Sequence, residues 1–365
     1  MPFHAAPMFP GDLYDTTERV AADAPVIPAT TTDGSLASQA WRQYLSLGWQ
    51  AVLVGEDHGG AGATLADVAA IAEASARHAS PAPLAARCGV VPALLARLAD
   101  QPAAAALLPQ VAAGEASVCP ALDAQHDGTV PRCTVEADGL RLDGSLRGLD
   151  LSEPASHVVF LARTDAGDDL LVLAPFEALA GGARGWFGID ARRSADVALD
   201  GLRLPADALL ARGVAARDAA SHALAVGALI SCAQVVGAMG AMIEQTIEYL
   251  STRQQFGVAL ASFQALRHRT VELYVAYESV RGMVRQRVLA LDAGDGDLRQ
   301  VALVKLYLAV AAREAAESCI QLHGAIGMSR ELPASRLAMH ALGCSLAWGD
   351  RLSQLDQLAG MAGQG

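Results

Sequence analysis

The chain has 365 residues, 52% of them hydrophobic and 18% charged. That is enough for two or three domains with a real core, and too apolar for a disordered chain. A net charge of −12 and a pI near 5.2 argue against nucleic acid as a partner, although an anionic ligand needs only a local basic site. Six cysteines (Cys88, Cys119, Cys133, Cys232, Cys319 and Cys344) are scattered with no C-x-x-C pair. Reduced, buried thiols are therefore expected, and a metal site is not. The start, Met1-Pro2-Phe3-His4, lacks the basic-then-apolar layout of a secretory signal, so a cytoplasmic location is expected.

In chain order, the pattern predicts a helix over 38–47, a short extended or turn segment over 49–54, and a glycine-rich loop, Glu56-Asp57-His58-Gly59-Gly60-Ala61-Gly62. A glycine-rich loop before a helix can cradle phosphate, but no β-α-β context surrounds this one and no lysine follows it. A helix to about His78 comes next, then the break Pro81-Ala82-Pro83, then helices over 90–98 and 103–111. From about Ser117 the pattern changes to short β-branched or apolar runs, at 130–135, 140–142, 157–162, 169–173 and 194–199. Turn signals such as Ala137-Asp138-Gly139 and Asp200-Gly201 separate them, which predicts a small antiparallel β domain.

The last part is helical again. Residues 223–243 carry no Asp, Glu, Lys or Arg and are long enough for a bilayer. Gly227, Ser231, Gln234, Gly237 and Gly240 interrupt them and no aromatic belt flanks them, so a buried central helix is predicted and no membrane contact. A second helix carries Leu273, Tyr277, Val280, Val284 and Val288 on one face and ends at Ala293-Gly294. Asp297 with Gln300 makes a capping-box start for a third, and Pro333 precedes a fourth running toward Leu358. The expected domains are 1–116 helical, 117–212 β and 213–365 a four-helix bundle, an α+β chain.

The chain turns on Arg253-Gln254-Gln255-Phe256-Gly257, between the first two bundle helices. An arginine on a last helical turn, followed by an aromatic ring and by a glycine that takes φ > 0 and stops the helix, suits a phosphate or carboxylate. Phe263-Gln264 and Gln321-Leu322-His323-Gly324-Ala325-Ile326-Gly327 accompany it. The set resembles the acyl-CoA dehydrogenase family, whose order of α, β and α-bundle domains it shares across nearly the whole chain. That family removes two hydrogens from an acyl thioester: a glutamate takes the α-proton, FAD takes the β-hydride, and an electron-transfer flavoprotein accepts the electrons.

Residue by residue, the resemblance implies an intact half-site for a neighbouring subunit's FAD. Arg253 would pair with the pyrophosphate, and Phe256, Leu260, Phe263 and Gln264 would line the adenosine region. Gln321, His323 and Gly324 would pass close to the nucleotide, with Ala325 replacing the family's usual glycine. The half that holds a chain's own flavin departs from the family. Cys119-Pro120-Ala121-Leu122-Asp123-Ala124-Gln125-His126-Asp127-Gly128 stands at the Thr-Glu-Pro-x-x-Gly-Ser-Asp segment, and Gly144-Ser145-Leu146-Arg147-Gly148-Leu149-Asp150 at the Trp-Ile-Thr-Asn segment. The catalytic carboxylate departs too. Trp348 falls on one of its usual positions and Gly227 on the other, with Ala228 where an arginine usually meets CoA. Indole has no lone pair with which to take a proton.

A chain equipped for someone else's flavin but not for its own implies the non-catalytic subunit of a heteromeric acyl-CoA dehydrogenase. The expected assembly is a heterotetramer of the kind found among enzymes of steroid side-chain degradation, with the acyl-CoA on the catalytic partner. Three alternatives remain: an active homo-oligomer with Asp350 as a displaced base, a flavin-free scaffold of the same fold, and a related flavoprotein oxidase or monooxygenase.

Overall fold

Helices take both ends of the chain and strands the middle, as the spacing of apolar residues predicts. The computed structural model describes residues 3–23, 35–122, 130–151, 154–190, 192–329 and 331–362. The N-terminal helices are α1 (Asp12–Ala22), α2 (Ser35–Ser46), α3 (Leu65–Ala76), α4 (Val91–Arg97) and α5 (Pro102–Ala112). The strands are β1 (Val118–Ala121), β2 (Arg132–Glu136), β3 (Gly139–Asp143), β4 (Ser145–Asp150), β5 (His157–Arg163) and β6 (Asp169–Pro175), then, after the short α6 (Phe176–Leu179), β7 (Ala183–Phe187), β8 (Arg193–Ala198), β9 (Leu202–Leu204) and β10 (Leu209–Arg212). Next come α7 (Val214–Thr252), a two-residue hairpin of β11 (Gln254–Gln255) and β12 (Val258–Ala259), then α8 (Gln264–Asp292), α9 (Leu298–His323), α10 (Pro333–Leu346) and α11 (Arg351–Ala362).

The chain packs as two compact units built from non-consecutive segments. One comprises Thr32–Thr64 and Pro81–Gly227, and holds both larger sheets. Its main sheet runs β10-β6-β5-β2-β3-β9 with β1 beside β5, and a second sheet runs β4-β8-β7. Alternate residues of β5 and β6 (Val158, Phe160 and Ala162; Leu170, Val172 and Ala174) point into one core with Cys133, Leu142, Leu146 and Val197. Pairing is mostly antiparallel, as expected, but β1 and β2 meet β5 in parallel. Parallel pairing needs a long connection, and the whole β2–β4 stretch separates β1 from β5. In the same unit the glycine-rich loop spends its N–H groups on the chain itself: those of Ala61, Gly62 and Ala63 go to the carbonyls of Ala51, Val54 and Val52. It is a folded corner whose N–H groups from His58 to Ala63 are spent within the chain.

The other unit comprises Met1–Thr31, Leu65–Ser80 and Ala228–Gly365. The apolar residues expected on α8 (Leu273, Tyr277, Val280, Val284 and Val288) are all buried. α7 is long and apolar enough to cross a membrane, yet its most apolar stretch is wholly buried by protein, so the expected core helix is what forms. Its small residues serve close approach. A Cβ on Gly237 would sit 2.1 Å from the carbonyl oxygen of Glu73 on α3, a distance real atoms do not share. The six cysteines are buried and form no disulfide. The N-terminal segment is strapped onto this unit. Glu73 accepts the Met8 N–H at 2.9 Å, Glu244 accepts that of Ala5 at 2.5 Å, and Arg281 donates to Pro7 O at 3.1 Å.

Three local expectations are corrected. The helix before Arg253 stops at Thr252, so Arg253 follows the helix and Gly257 turns a hairpin. The fourth bundle helix is broken into α10 and α11, because Trp348 and Gly349 both take positive φ (58° and 95°). Asp297 caps α9 by accepting the Arg299 N–H at 2.9 Å, but its own N–H goes to Asp295 at 3.1 Å rather than to Gln300, so no reciprocal capping box closes. The sequence pattern also missed α1, β1, β4, α6, β7, β10 and the β11–β12 hairpin, elements too short or too irregular to show a period.

Candidate cofactor-contact site

Residues 253–269 contain three arginines and one histidine, and no aspartate or glutamate. This is a local basic stretch in an acidic chain. Arg253 N donates to Tyr249 O at 2.8 Å, continuing the last turn of α7, and Arg253 O accepts from Leu260 N at 2.9 Å. The hairpin is thereby closed at its base. At its tip Phe256 and Gly257 have φ of 53° and 81°, the pair of positive values that a two-residue I′-type turn needs. For phenylalanine that conformation costs about 1 kcal/mol. Phe256 is 92% exposed and meets only an edge of Phe263, at 6.2 Å between ring centres. The Arg253 guanidinium is exposed and makes no hydrogen bond or ion pair among the described residues. Leu260 and Phe263 are half-buried behind it, and Gln264 is the exposed first residue of α8.

The second segment meets the first through an interaction that sequence reasoning missed. The Tyr249 ring lies on that of His323, 4.7 Å between centres and tilted 31°. Tyr249 stands four residues before Arg253, one helical turn, and that spacing was the available signal. The stack ties the end of α7 to the end of α9, bringing together the two segments singled out in the sequence. His323 is buried, and its Nδ1 bonds the Cys319 carbonyl at 2.9 Å. A carbonyl only accepts, so Nδ1 carries the proton and the ring is committed to structure. Its neighbour Gly324 has φ 67° and ψ −143°, a combination that essentially only glycine adopts. Gln321, Gly324 and Ala325 are exposed, and Ile326 and Met328 beside them are 50% and 79% exposed.

The positions where a carboxylate was sought are different. Trp348 is half-buried in the corner between α10 and α11. Asp350 accepts the Ser353 N–H at 2.9 Å and the Ser353 hydroxyl at 2.8 Å, which makes it the N-terminal cap of α11. One oxygen of Asp350, the residue weighed as a displaced base, is thus used by its own helix. Gly227 and Ala228 lie inside α7, both buried, with no side chain to titrate. Of the segments opposite a chain's own flavin, residues 123–128 lie outside the described residues. The other forms β4, with Leu146 and Leu149 buried and Arg147 and Gly148 exposed.

Comparison with known proteins bears on this arrangement. Residues 12–115 match the family model "Acyl-CoA dehydrogenase, N-terminal domain", and residues 217–361 match "Acyl-CoA dehydrogenase, C-terminal domain". Together the two matches take in more than half of the chain. The chain belongs to the acyl-CoA dehydrogenase family. It is 32% identical over 152 residues to a probable short/branched chain specific acyl-CoA dehydrogenase of Dictyostelium discoideum, covering 41% of this chain and 36% of that protein. The chain spans between about a fifth and about half of the length of the curated relatives it matches. Solved structures share the fold over almost the full length. The ChsE4–ChsE5 complex from Mycobacterium tuberculosis matches with a TM-score of 0.82 and 20% identity, over 97% of each chain. The Tcur3481–Tcur3483 steroid ACAD matches with a TM-score of 0.81 and 23% identity, over 96% of this chain and 97% of that one. At such identities the likeness shows the fold alone.

Family membership raises the question of whether these residues fit FAD. The free Arg253 fork, the acid-free stretch around it, and the exposed glycine turn at 324 fit the anionic and nucleotide portions of that cofactor. Trp348 and Gly227 carry no carboxylate, and Asp350 caps α11 through Oδ1.

Proposed function

We propose that this chain is the non-catalytic subunit of a cytoplasmic, FAD-dependent acyl-CoA dehydrogenase, completing the flavin site of a catalytic partner chain. One observation carries the reading. The Arg253–Gly257 hairpin turns a strained aromatic tip outward beside a guanidinium with no partner among the described residues, while glycine and tryptophan stand at 227 and 348 and Asp350 caps α11. A positive-φ phenylalanine in water is costly unless something outside the chain covers it. Arg253 would hold the pyrophosphate of FAD bound to the partner. Phe256, Leu260, Phe263 and Gln264 would shape the adenosine region, and Gln321, His323 and Gly324 would present backbone and amide groups to the nucleotide. When bound, FAD supplies the hydride acceptor. The partner supplies the base that takes the α-proton of the acyl-CoA, and an electron-transfer flavoprotein takes the electrons onward. A heteromeric assembly with a steroid substrate on the partner is in keeping with two proteins of this fold, one described as a ChsE4–ChsE5 complex and the other as a steroid ACAD.

The test is purification of the chain alone and co-expressed with a second family member that has the glutamate and the flavin segments. The expected result is a colourless or flavin-poor isolated chain, and an active complex with fewer flavins than subunits. An isolated homo-oligomer, fully loaded with flavin and oxidising acyl-CoA unaided, ends the proposal.

A further inference from the structure

Arg87 is a buried charge that the flavin site does not use. It lies on a π-helical turn, Ala85–Val90, ahead of α4, and is 5% exposed. π turns are wider than α turns, are rare, and recur at functional sites. Of the five N–H donors of Arg87, one from Nη1 is used, on the Ser117 hydroxyl at 2.5 Å. Ser117 sends its own proton to Pro154 O at 3.0 Å, which fixes its oxygen as the acceptor facing Arg87. Ser156 holds the other side of Ser117, accepting its N–H and donating to its carbonyl, both at 3.0 Å.

Other buried arginines of the chain have a counter-charge. Arg77 meets Glu18 at 2.9 Å and Glu244 at 2.7 Å, and Arg287 meets Asp295 at 2.9 Å. Arg87 has no carboxylate partner among the described residues. A guanidinium buried without counter-charge costs several kcal/mol. Its unspent donors are Nε and Nη2, the parallel pair that meets a carboxylate side-on. These two nitrogens are not sealed either: the arginine nitrogens both buried and without a partner are the Nε atoms of Arg281 and Arg287.

We propose that Arg87 is an anion-recognition residue whose Nε/Nη2 edge takes the carboxylate of a small organic ligand. One guanidinium balances one carboxylate, whereas a phosphate dianion would leave a buried charge over. Leu84, Cys88 and Val90 on the same turn are buried and apolar, and hexanoate, a simple carboxylate, serves as the probe. The site is independent of the flavin reading, because it needs neither FAD nor a partner chain.

The test is thermal unfolding of the full chain, in the oligomer in which it purifies, with sodium hexanoate, sodium phosphate or sodium chloride at matched ionic strength. Tm is expected to rise with hexanoate concentration above the chloride control and not with phosphate. Arg87→Met abolishes that rise and unfolds, without ligand, no lower than wild type, because an uncompensated charge is gone. Arg87→Lys keeps the charge, loses the two-donor edge and weakens the hexanoate response about tenfold; it decides the matter if Arg87→Met does not fold. No rise over chloride in the wild type, or the same rise in either variant as in wild type, overturns the proposal. An equal rise with phosphate overturns the assignment of the ligand as a carboxylate.

Discussion

Two breaks between helices in this chain carry the same local signature. Phe256-Gly257 joins α7 to α8, and Trp348-Gly349 joins α10 to α11. In each, an aromatic residue and the glycine after it take positive φ: 53° and 81° in the first, 58° and 95° in the second. Their surroundings differ. Nothing lies within 4 Å of a Cβ built on Gly257, and Phe256 is almost wholly exposed. A Cβ on Gly349 would sit 2.1 Å from the Gln354 amide, and Asp350 fastens the next helix behind it. One turn faces outward, and the other is an internal corner. The local conformation does not separate the two roles, and the packing does.

The largest effect should come from the outward turn. In a co-purified complex, Arg253→Ala is expected to weaken flavin retention at least about tenfold, since charge-assisted hydrogen bonds contribute about 1.5–3 kcal/mol. Unchanged flavin absorbance in that variant breaks the comparison. A region touching neither turn provides the control. Burial pushes the Glu73 carboxyl up to about 7 from 4.5, against the opposing pull of the Met8 N–H, Arg281 and Arg77. The native state therefore keeps a proton that the unfolded state has released, and stability falls as pH rises from about 4.5 to about 7, then levels off. The slope is at most about 1.4 kcal/mol per pH unit for one group. Glu73→Gln, which keeps an acceptor for Met8, should flatten the Tm profile across that window; a profile as steep as wild type refutes the assignment.

Substitution of the two glycines sharpens the contrast directly. Gly349→Ala meets both a positive φ and the buried Gln354 side chain, and should cost about 2 kcal/mol by thermal or denaturant unfolding. Gly257→Ala meets only the backbone penalty and should cost about 1 kcal/mol. Equal losses mean that the inward turn is as open as the outward one. The smallest effect falls on Asp350. Asp350→Ala should lose about 1 kcal/mol of stability with its cap and leave the activity of the complex unaltered. A collapse of activity in Asp350→Asn restores it as a base.

Much of this was legible beforehand because it depends on near neighbours in the chain. The α8 stripe from Leu273 to Val288 repeats at helical spacing, and every member is buried. The Asp297 cap and the small residues of α7 likewise sit where their chemistry requires. The errors share a cause. The split of the last bundle helix hinges on Trp348 adopting positive φ, which no propensity assigns to tryptophan. The hairpin at Phe256 is two residues on each side, below the length at which a strand shows any alternation.

From its order of residues alone, the chain had already declared its family, its helical ends and strand-rich middle, the missing carboxylates at 227 and 348, and the arginine that begins a basic, acid-free stretch. Those are statements of composition and spacing, which need no partner in space. That Arg253 has no partner among the described residues, that His323 packs under Tyr249, that Asp350 caps α11, and that Arg87 meets Ser117 were decided only by tertiary structure. Each depends on what long-range folding brings within a few ångströms of one side chain.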